Sequence, residues 1–205
     1  MPISVVHLGP DGPYVLAGNE SLVMEVLGRD FRLSAGAFFQ VNLGQAENLV
    51  RHCLEAAGEV GSGTLLDVYC GVGLFSAFLA GRGRRLVGIE SSPAACEDFA
   101  ANLDAFDDVE LYQGAAEEIL GQLDLHPDFV VVDPPRAGLA RDALDALARM
   151  QPQRILYVSC DPSTLGRDAA RLLKQGYRLA AVTPFDMFPQ TYHIESASLF
   201  ELSAA

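Results

Sequence analysis

Thr64-Leu65-Leu66-Asp67-Val68-Tyr69-Cys70-Gly71-Val72-Gly73 is the stretch that decides how this chain folds. A short apolar run ends on a tyrosine and opens at once into Gly-x-Gly. That is the pattern of a buried strand that turns tightly into a helix and leaves bare backbone at the turn. Downstream, similar runs recur at residues 85–90, 109–112, 129–133 and 155–159, each followed by a turn signal. Between them lie helical periodicities. Ser92-Pro93 reads as an N-cap and first helical residue, with Ala95, Phe99, Asn102/Leu103 and Phe106 at helical spacing. Residues 142–150 and 163–175 also read as helices, the second entered through Asp161-Pro162 and left at Gly176. Strands buried on both faces and separated by helices predict a parallel, doubly wound α/β sheet. The last two runs, 177–185 and 195–202, have only a loop between them. They predict an antiparallel hairpin at the sheet edge.

Upstream the pattern is different. Residues 22–27 and 31–33 predict a short hairpin around Gly28-Arg29-Asp30. Asn42 then caps a helix whose Ala46, Leu49/Val50, Cys53/Leu54 and Ala57 share one face, with Gln45 in the capping-box position. The expected organisation is therefore a lead-in over residues 1–60, the remnant of a central subdomain, and a main domain over residues 61–205. Composition agrees with a packed core: half of the 205 residues are apolar and a fifth are charged. No uncharged run is longer than 68–81, which is shorter than the ~20 residues of a membrane helix and holds three glycines. Met1-Pro2-Ile3-Ser4 has no basic n-region, so no signal peptide is expected. Cys53, Cys70, Cys96 and Cys160 form no C-x-x-C, which argues against a disulfide framework or a metal site and for a reduced, cytoplasmic setting.

Four features carry chemistry. Gly71 and Gly73 follow the first strand of the main domain, and Glu90 stands about 20 positions on, where an acidic residue grips ribose hydroxyls. Ser76 occupies the place of the third glycine, so the dinucleotide fingerprint is incomplete. A nucleoside cofactor without a pyrophosphate fits better, and S-adenosylmethionine is one; the plainer reading is a tight strand–helix turn with no ligand. Asp133-Pro134-Pro135-Arg136 ends another strand on the same sheet edge, where open α/β sheets bind ligands. Cys160 in Ser159-Cys160-Asp161-Pro162 stands where a strand ends and a helix begins. The positive end of the helix dipole favours its thiolate, with Asp161 opposing and Arg167 compensating. The other cysteines read as small buried hydrophobes. Glu195 opens the final strand, as a general base if desolvated or as a surface charge on an edge strand.

Together these residues resemble the RNA 5-methyluridine methyltransferase family, class I S-adenosylmethionine enzymes acting on tRNA or 23S ribosomal RNA. The resemblance runs from about Gly18 to the end of the chain. Phe31-Arg32-Leu33-Ser34-Ala35-Gly36-Ala37-Phe38-Phe39-Gln40-Val41-Asn42 is similar to the family's segment leading into the catalytic domain. Asp67-x-Tyr-Cys-Gly-x-Gly, Asp133-Pro-Pro-Arg-x-Gly, Ser159-Cys-Asp-Pro and Asp186-Met-Phe-Pro-Gln-Thr-x-His-Ile-Glu195 follow in the family's order. The resemblance implies that Gln40, Tyr69, Glu90 and Asp133 contact S-adenosylmethionine, with Gly71 and Gly73 giving backbone access. It also implies that Cys160 is the nucleophile, that Glu195 is the base, and that no metal takes part. Two residues depart from the pattern: Leu74 where well-known members have a polar residue, and Tyr192 where some have glycine.

The net charge of −13 argues against a sequence-independent nucleic-acid binder. Residues 134–182, which hold Cys160, nevertheless carry eight basic and four acidic side chains. The family's N-terminal OB-like RNA-binding domain and its iron–sulfur cysteine cluster have no counterpart in these residues. The expectation is a catalytic fragment, or a minimal stand-alone member, that holds an RNA substrate weakly by itself. Two other readings stay open: a methyltransferase acting on an amino or small-molecule substrate, and a cofactor-binding fragment without turnover. The identity of the RNA, of the uridine and of any oligomer is open.

Overall fold

The computed structural model describes residues 3–10 and 12–203. Two hairpins come first, β1 (Val5–Gly9) with β2 (Gly12–Ala17) and β3 (Ser21–Val26) with β4 (Arg29–Ser34), followed by α1 (Leu43–Ala57). The rest alternates: β5 (Thr64–Val68), α2 (Ser76–Leu79), β6 (Arg85–Glu90), α3 (Pro93–Asn102), β7 (Val109–Gln113), α4 (Ala116–Ile119), β8 (Phe129–Val132), α5 (Arg141–Arg149), β9 (Arg154–Ser159), α6 (Pro162–Lys174), β10 (Tyr177–Phe185) and β11 (Glu195–Leu202). Seven of the strands form one sheet in the order β10-β11-β9-β8-β5-β6-β7. β5 through β9 run parallel, and apolar side chains fill both faces of the central pair, β5 and β8. The doubly wound α/β fold expected from the periodicity is the fold observed.

The chain winds from β5 outward through β6 to β7, then returns to the other side of β5 with β8 and β9. The direction of winding therefore reverses between β5 and β8, and the loops at their carboxyl ends part to leave a crevice. The C-terminal hairpin is antiparallel as expected, but only β10 is an edge strand. β11 lies between β10 and β9 and is antiparallel to both. Its first residues consequently sit beside the last residues of β9, with Ser196 opposite Ser159.

The hairpin ahead of α1 turns through Leu27 and Gly28, both in the left-handed region (φ 53° and 76°), which suits a two-residue turn. Arg29 and Asp30 accordingly belong to β4, opposite Val26 and Glu25, rather than to the turn. This hairpin is anchored to α3 by two buried polar residues. Asp98 accepts hydrogen bonds from the backbone N–H (2.6 Å) and hydroxyl (2.7 Å) of Ser34 and pairs with Arg32 (3.0 Å). Asn102 accepts from the Arg32 N–H and donates to the carbonyls of Arg32 and Val72. Every group in this anchor has a partner, the condition for burying polar atoms without large cost. The anchor fixes where residues 35–41 run, and so where Gln40 arrives at the crevice. The helix behind it starts as its cap predicts, with the Asn42 side chain accepting from the Gln45 N–H (3.3 Å).

Candidate active site

At the carboxyl ends of β5, β6, β8 and β9 lies a cleft of about 520 Å³. Gln40, Tyr69, Gly71, Glu90, Asp133, Cys160 and Glu195 all line it. Residues spread over more than 150 positions of sequence thus converge because β5, β6, β8 and β9 end, and β11 begins, on one side of the sheet. Gly73 does not line the cleft. A Cβ there would stand 2.5 Å from Leu103 Cδ1 and 3.0 Å from Phe99 Cδ2, so this glycine lets α3 approach the strand–helix turn. Gly71 is different: a Cβ added to it meets nothing within 4 Å, and its backbone faces open space.

The turn itself is held in an uncommon conformation. Tyr69 has φ +64°, costly for a bulky residue, and its N–H and that of Cys70 both donate to the Ile89 carbonyl (2.9 and 3.1 Å). Ser76 is buried and donates through both hydroxyl (2.6 Å) and N–H (3.1 Å) to Asp67, tying the start of α2 to the end of β5. The serine in the third glycine's place is thus part of the turn's construction. Both oxygens of Glu90 are fixed by backbone, one accepting from the Gly71 N–H (3.0 Å) and the other from those of Ser91 (2.8 Å) and Ser92 (2.7 Å), and the first keeps a free acceptor site.

The deeper carboxyl groups are poorly partnered. Burial pushes Asp133 up to about 7, and among the described residues its one side-chain hydrogen bond is a long one from Gln40 Nε2 at 3.5 Å. Glu195 is 5% exposed, because β11 is interior at that end. Burial first, and then the charge of Asp133, push it up to about 8. The reading of Glu195 as a surface charge is therefore excluded.

Cys160 departs from expectation. Its thiol is shifted up, by burial first and then by Glu195 and Asp133, while Arg136 and a backbone hydrogen bond pull it down. The helix terminus does not win, since Asp161 already caps it, accepting from the N–H groups of Ser163 (2.8 Å) and Thr164 (3.0 Å). Nor is Arg167 the compensating cation. It pairs with Asp168 (2.8 Å) and donates to the carbonyls of Ala137 (2.9 Å) and Leu139 (3.2 Å). The cation that acts on Cys160 is Arg136, from the Asp133-Pro-Pro-Arg loop.

That loop is braced by a group not foreseen from sequence. Asp168 is buried and accepts from the Leu139 N–H (2.9 Å) and the Tyr157 hydroxyl (2.7 Å) as well as from Arg167. A signal existed: Asp168 falls between Leu165 and Leu172 on the apolar stripe of α6. A second, larger cleft of about 960 Å³ shares Tyr69, Glu90, Ser91 and Pro135 with the first and continues between residues 114–117 and helices α5 and α6. Among the described residues no helix is long and apolar enough to cross a membrane.

A Rossmann-like sheet with β11 inserted antiparallel between β9 and β10, and with an acidic, glycine-bearing cleft at its switch point, is the methyltransferase form of the α/β fold. The chain belongs to the tRNA (uracil-5-)-methyltransferase family, whose model matches residues 19–203. It is 40% identical over 202 residues to an uncharacterized RNA methyltransferase of Lactiplantibacillus plantarum, covering 96% of this chain and 44% of that protein. An uncharacterized RNA methyltransferase of Thermosynechococcus vestitus is 41% identical over 196 residues, covering 94% and 44% respectively. The chain thus spans less than half the length of these relatives. The crystal structure of Pyrococcus abyssi tRNA (uracil-54, C5)-methyltransferase in complex with S-adenosyl-L-homocysteine superposes with a TM-score of 0.75 at 35% identity. That match covers 89% of this chain and 45% of the archaeal one. The crystal structure of M. jannaschii TYW2 in complex with AdoMet shares the fold alone, at 16% identity and a TM-score of 0.65, covering 93% of this chain and 90% of that one.

Proposed function

We propose that this chain carries the catalytic machinery of an S-adenosylmethionine-dependent RNA methyltransferase, and that the atom methylated is C5 of a uridine. The observation that carries the reading is the shared cleft of Cys160 and Glu195, a nucleophile and a desolvated carboxyl from adjacent, oppositely directed strands.

The cleft suits the cofactor on two features of its wall. Asp133 and Glu195 are acidic groups short of cationic partners, which a ligand carrying positive charge satisfies. Gly71 leaves room beside the bound Glu90 carboxylate for a ribose to approach. Gln40, Tyr69, Glu90 and Asp133 would hold the cofactor. Leu74, in the same wall, offers apolar contact only. When bound, S-adenosylmethionine supplies an electrophilic methyl group.

Uracil C5 is too electron-poor to capture a methyl group directly. Cys160 gives its proton to solvent water and its sulfur bonds to C6, the C5–C6 π pair moving onto C5 and the C4 carbonyl oxygen as an enolate. C5 then has the electron density to take the methyl. Glu195, ionised when a positively charged ligand lies beside it, removes the C5 proton; that electron pair re-forms the double bond and expels the Cys160 sulfur. Arg136 supports the thiolate by charge. A uracil reaches this cleft only when splayed out of its stack.

The test is transfer of labelled methyl groups to unmodified tRNA and ribosomal RNA transcripts, followed by nucleoside analysis. The expected product is 5-methyluridine. Label in another nucleoside, or only in an amino or small-molecule acceptor, contradicts the reading.

A further inference from the structure

The loop joining β10 to β11 carries a row of rings that leads from solvent into the cleft. Tyr192 is 90% exposed, an unusual position for a large aromatic side chain. Its ring lies 4.2 Å, centroid to centroid, from that of His193, tilted by 40°. His193 in turn meets the edge of Phe188 at 6.0 Å, and Phe188 lines the cleft that holds Cys160 and Glu195. Arg136, in the same cleft wall, reaches within 3.4 Å of His193 Nδ1. The loop is not slack. Thr191 bonds back to the Phe188 carbonyl through both N–H (3.2 Å) and hydroxyl (2.8 Å), and its hydroxyl accepts from the His193 N–H (3.2 Å).

We propose that Tyr192, seated on His193, is a stacking platform for the nucleobase next to the target uridine in single-stranded RNA. The inference rests on the RNA uracil-C5 reading and extends it to substrate selection. When a uridine leaves its stack for the cleft, its neighbour loses a stacking face. An exposed ring beside the cleft mouth, continuous with Phe188 and flanked by a guanidinium that also draws the backbone, replaces that face. Every base has a π-face, so the platform tolerates sequence but grips the larger purines better than pyrimidines. Tyr192 touches neither the reacting atoms nor the cofactor-binding residues, so its effect falls on RNA affinity.

Binding can be read without turnover. The probe is a fluorescein-labelled single-stranded RNA heptamer with one central uridine flanked by adenosines, titrated by anisotropy at low salt. Tyr192→Ala is expected to bind at least about 5-fold more weakly than the wild type, with Tyr192→Trp restoring the affinity. An abasic site in place of either flanking adenosine is introduced in separate heptamers. At one of the two positions the difference between wild type and Tyr192→Ala is expected to vanish. Equal binding by Tyr192→Ala and wild type overturns the proposal, as does a wild-type chain that does not bind the heptamer. A difference that survives both abasic substitutions overturns it too. Failure of the uracil-C5 reading is seen separately, in the identity of the methylated nucleoside.

Discussion

Two sets of buried carboxyl groups in this molecule are treated in opposite ways. Asp98 and Asp168 are structural. Each is almost fully buried, each faces an arginine, and each accepts hydrogen bonds from donors remote in sequence. Asp133 and Glu195, in the cleft, have no cation seated on them among the described residues, and burial shifts both upward. Completed partnerships hold β4 on α3 and the Asp133-Pro-Pro-Arg loop on α6. Incomplete ones mark where a ligand is to supply what the protein withholds. Active sites commonly carry such perturbed groups, and the fold bears the cost elsewhere.

Substitutions in each set separate the two. The largest expected effect is that of Glu195→Gln on turnover, a fall of about 10²–10⁴-fold in methyl transfer with no loss of thermal stability at neutral pH. A variant that keeps full activity removes the carboxylate from the chemistry. Next comes Asp98→Ala, which strands the Ser34 donors and leaves Arg32 only its exposed pair with Glu20 (3.4 Å). It is expected to cost about 3–5 kcal/mol in denaturant unfolding, with activity reduced only as far as the folded fraction falls. Equal stability to the wild type would show that the anchor is dispensable.

A third comparison uses pH. Glu195 titrates at about 8 in the folded chain and near 4.5 when unfolded. Below about 4.5 both states hold the proton and there is no penalty. As pH rises toward 8 the unfolded chain gives up the proton and the folded chain keeps it, so stability is lost across that window. Glu195→Gln is therefore expected to be more stable than the wild type at pH 8, by up to a few kcal/mol, the difference shrinking toward pH 5. Differential scanning calorimetry at both pH values reads this; a difference of the same size at each contradicts the burial of an ionisable Glu195. The smallest effect expected is on the titration of Glu195 itself. Asp133→Asn removes the lesser of its two causes, so its midpoint should fall only part of the way toward the ordinary value, as followed by ¹³C NMR.

Much of this was legible in the sequence because it is local. Strand-end motifs announce themselves within ten residues, and the winding of an α/β sheet then brings those ends together; seven of the eight candidate residues line one cleft. What escaped depended on partners far along the chain. Arg167 is five residues from a helix start and looked available to Cys160, but loop carbonyls of Ala137 and Leu139 take it. Glycine at 73 signals backbone freedom in sequence, and only the packing of Phe99 and Leu103 shows what the freedom serves. The interior position of β11, which buries Glu195, follows from strand order and not from the pattern of the strand. β1 and β2 leave no such signal, because most of their residues are exposed and burial does not alternate along them.

The most direct measurement of the Cys160 chemistry is mass spectrometry of the chain incubated with S-adenosylmethionine and RNA in which uridines are replaced by 5-fluorouridine. Fluorine at C5 cannot leave as a proton does, so the adduct should persist. The expected result is a complex of protein, RNA and one methyl group, joined through Cys160 and absent from Cys160→Ala. No adduct on RNA that the wild type methylates, or an adduct that forms equally in Cys160→Ala, would contradict nucleophilic catalysis by this residue.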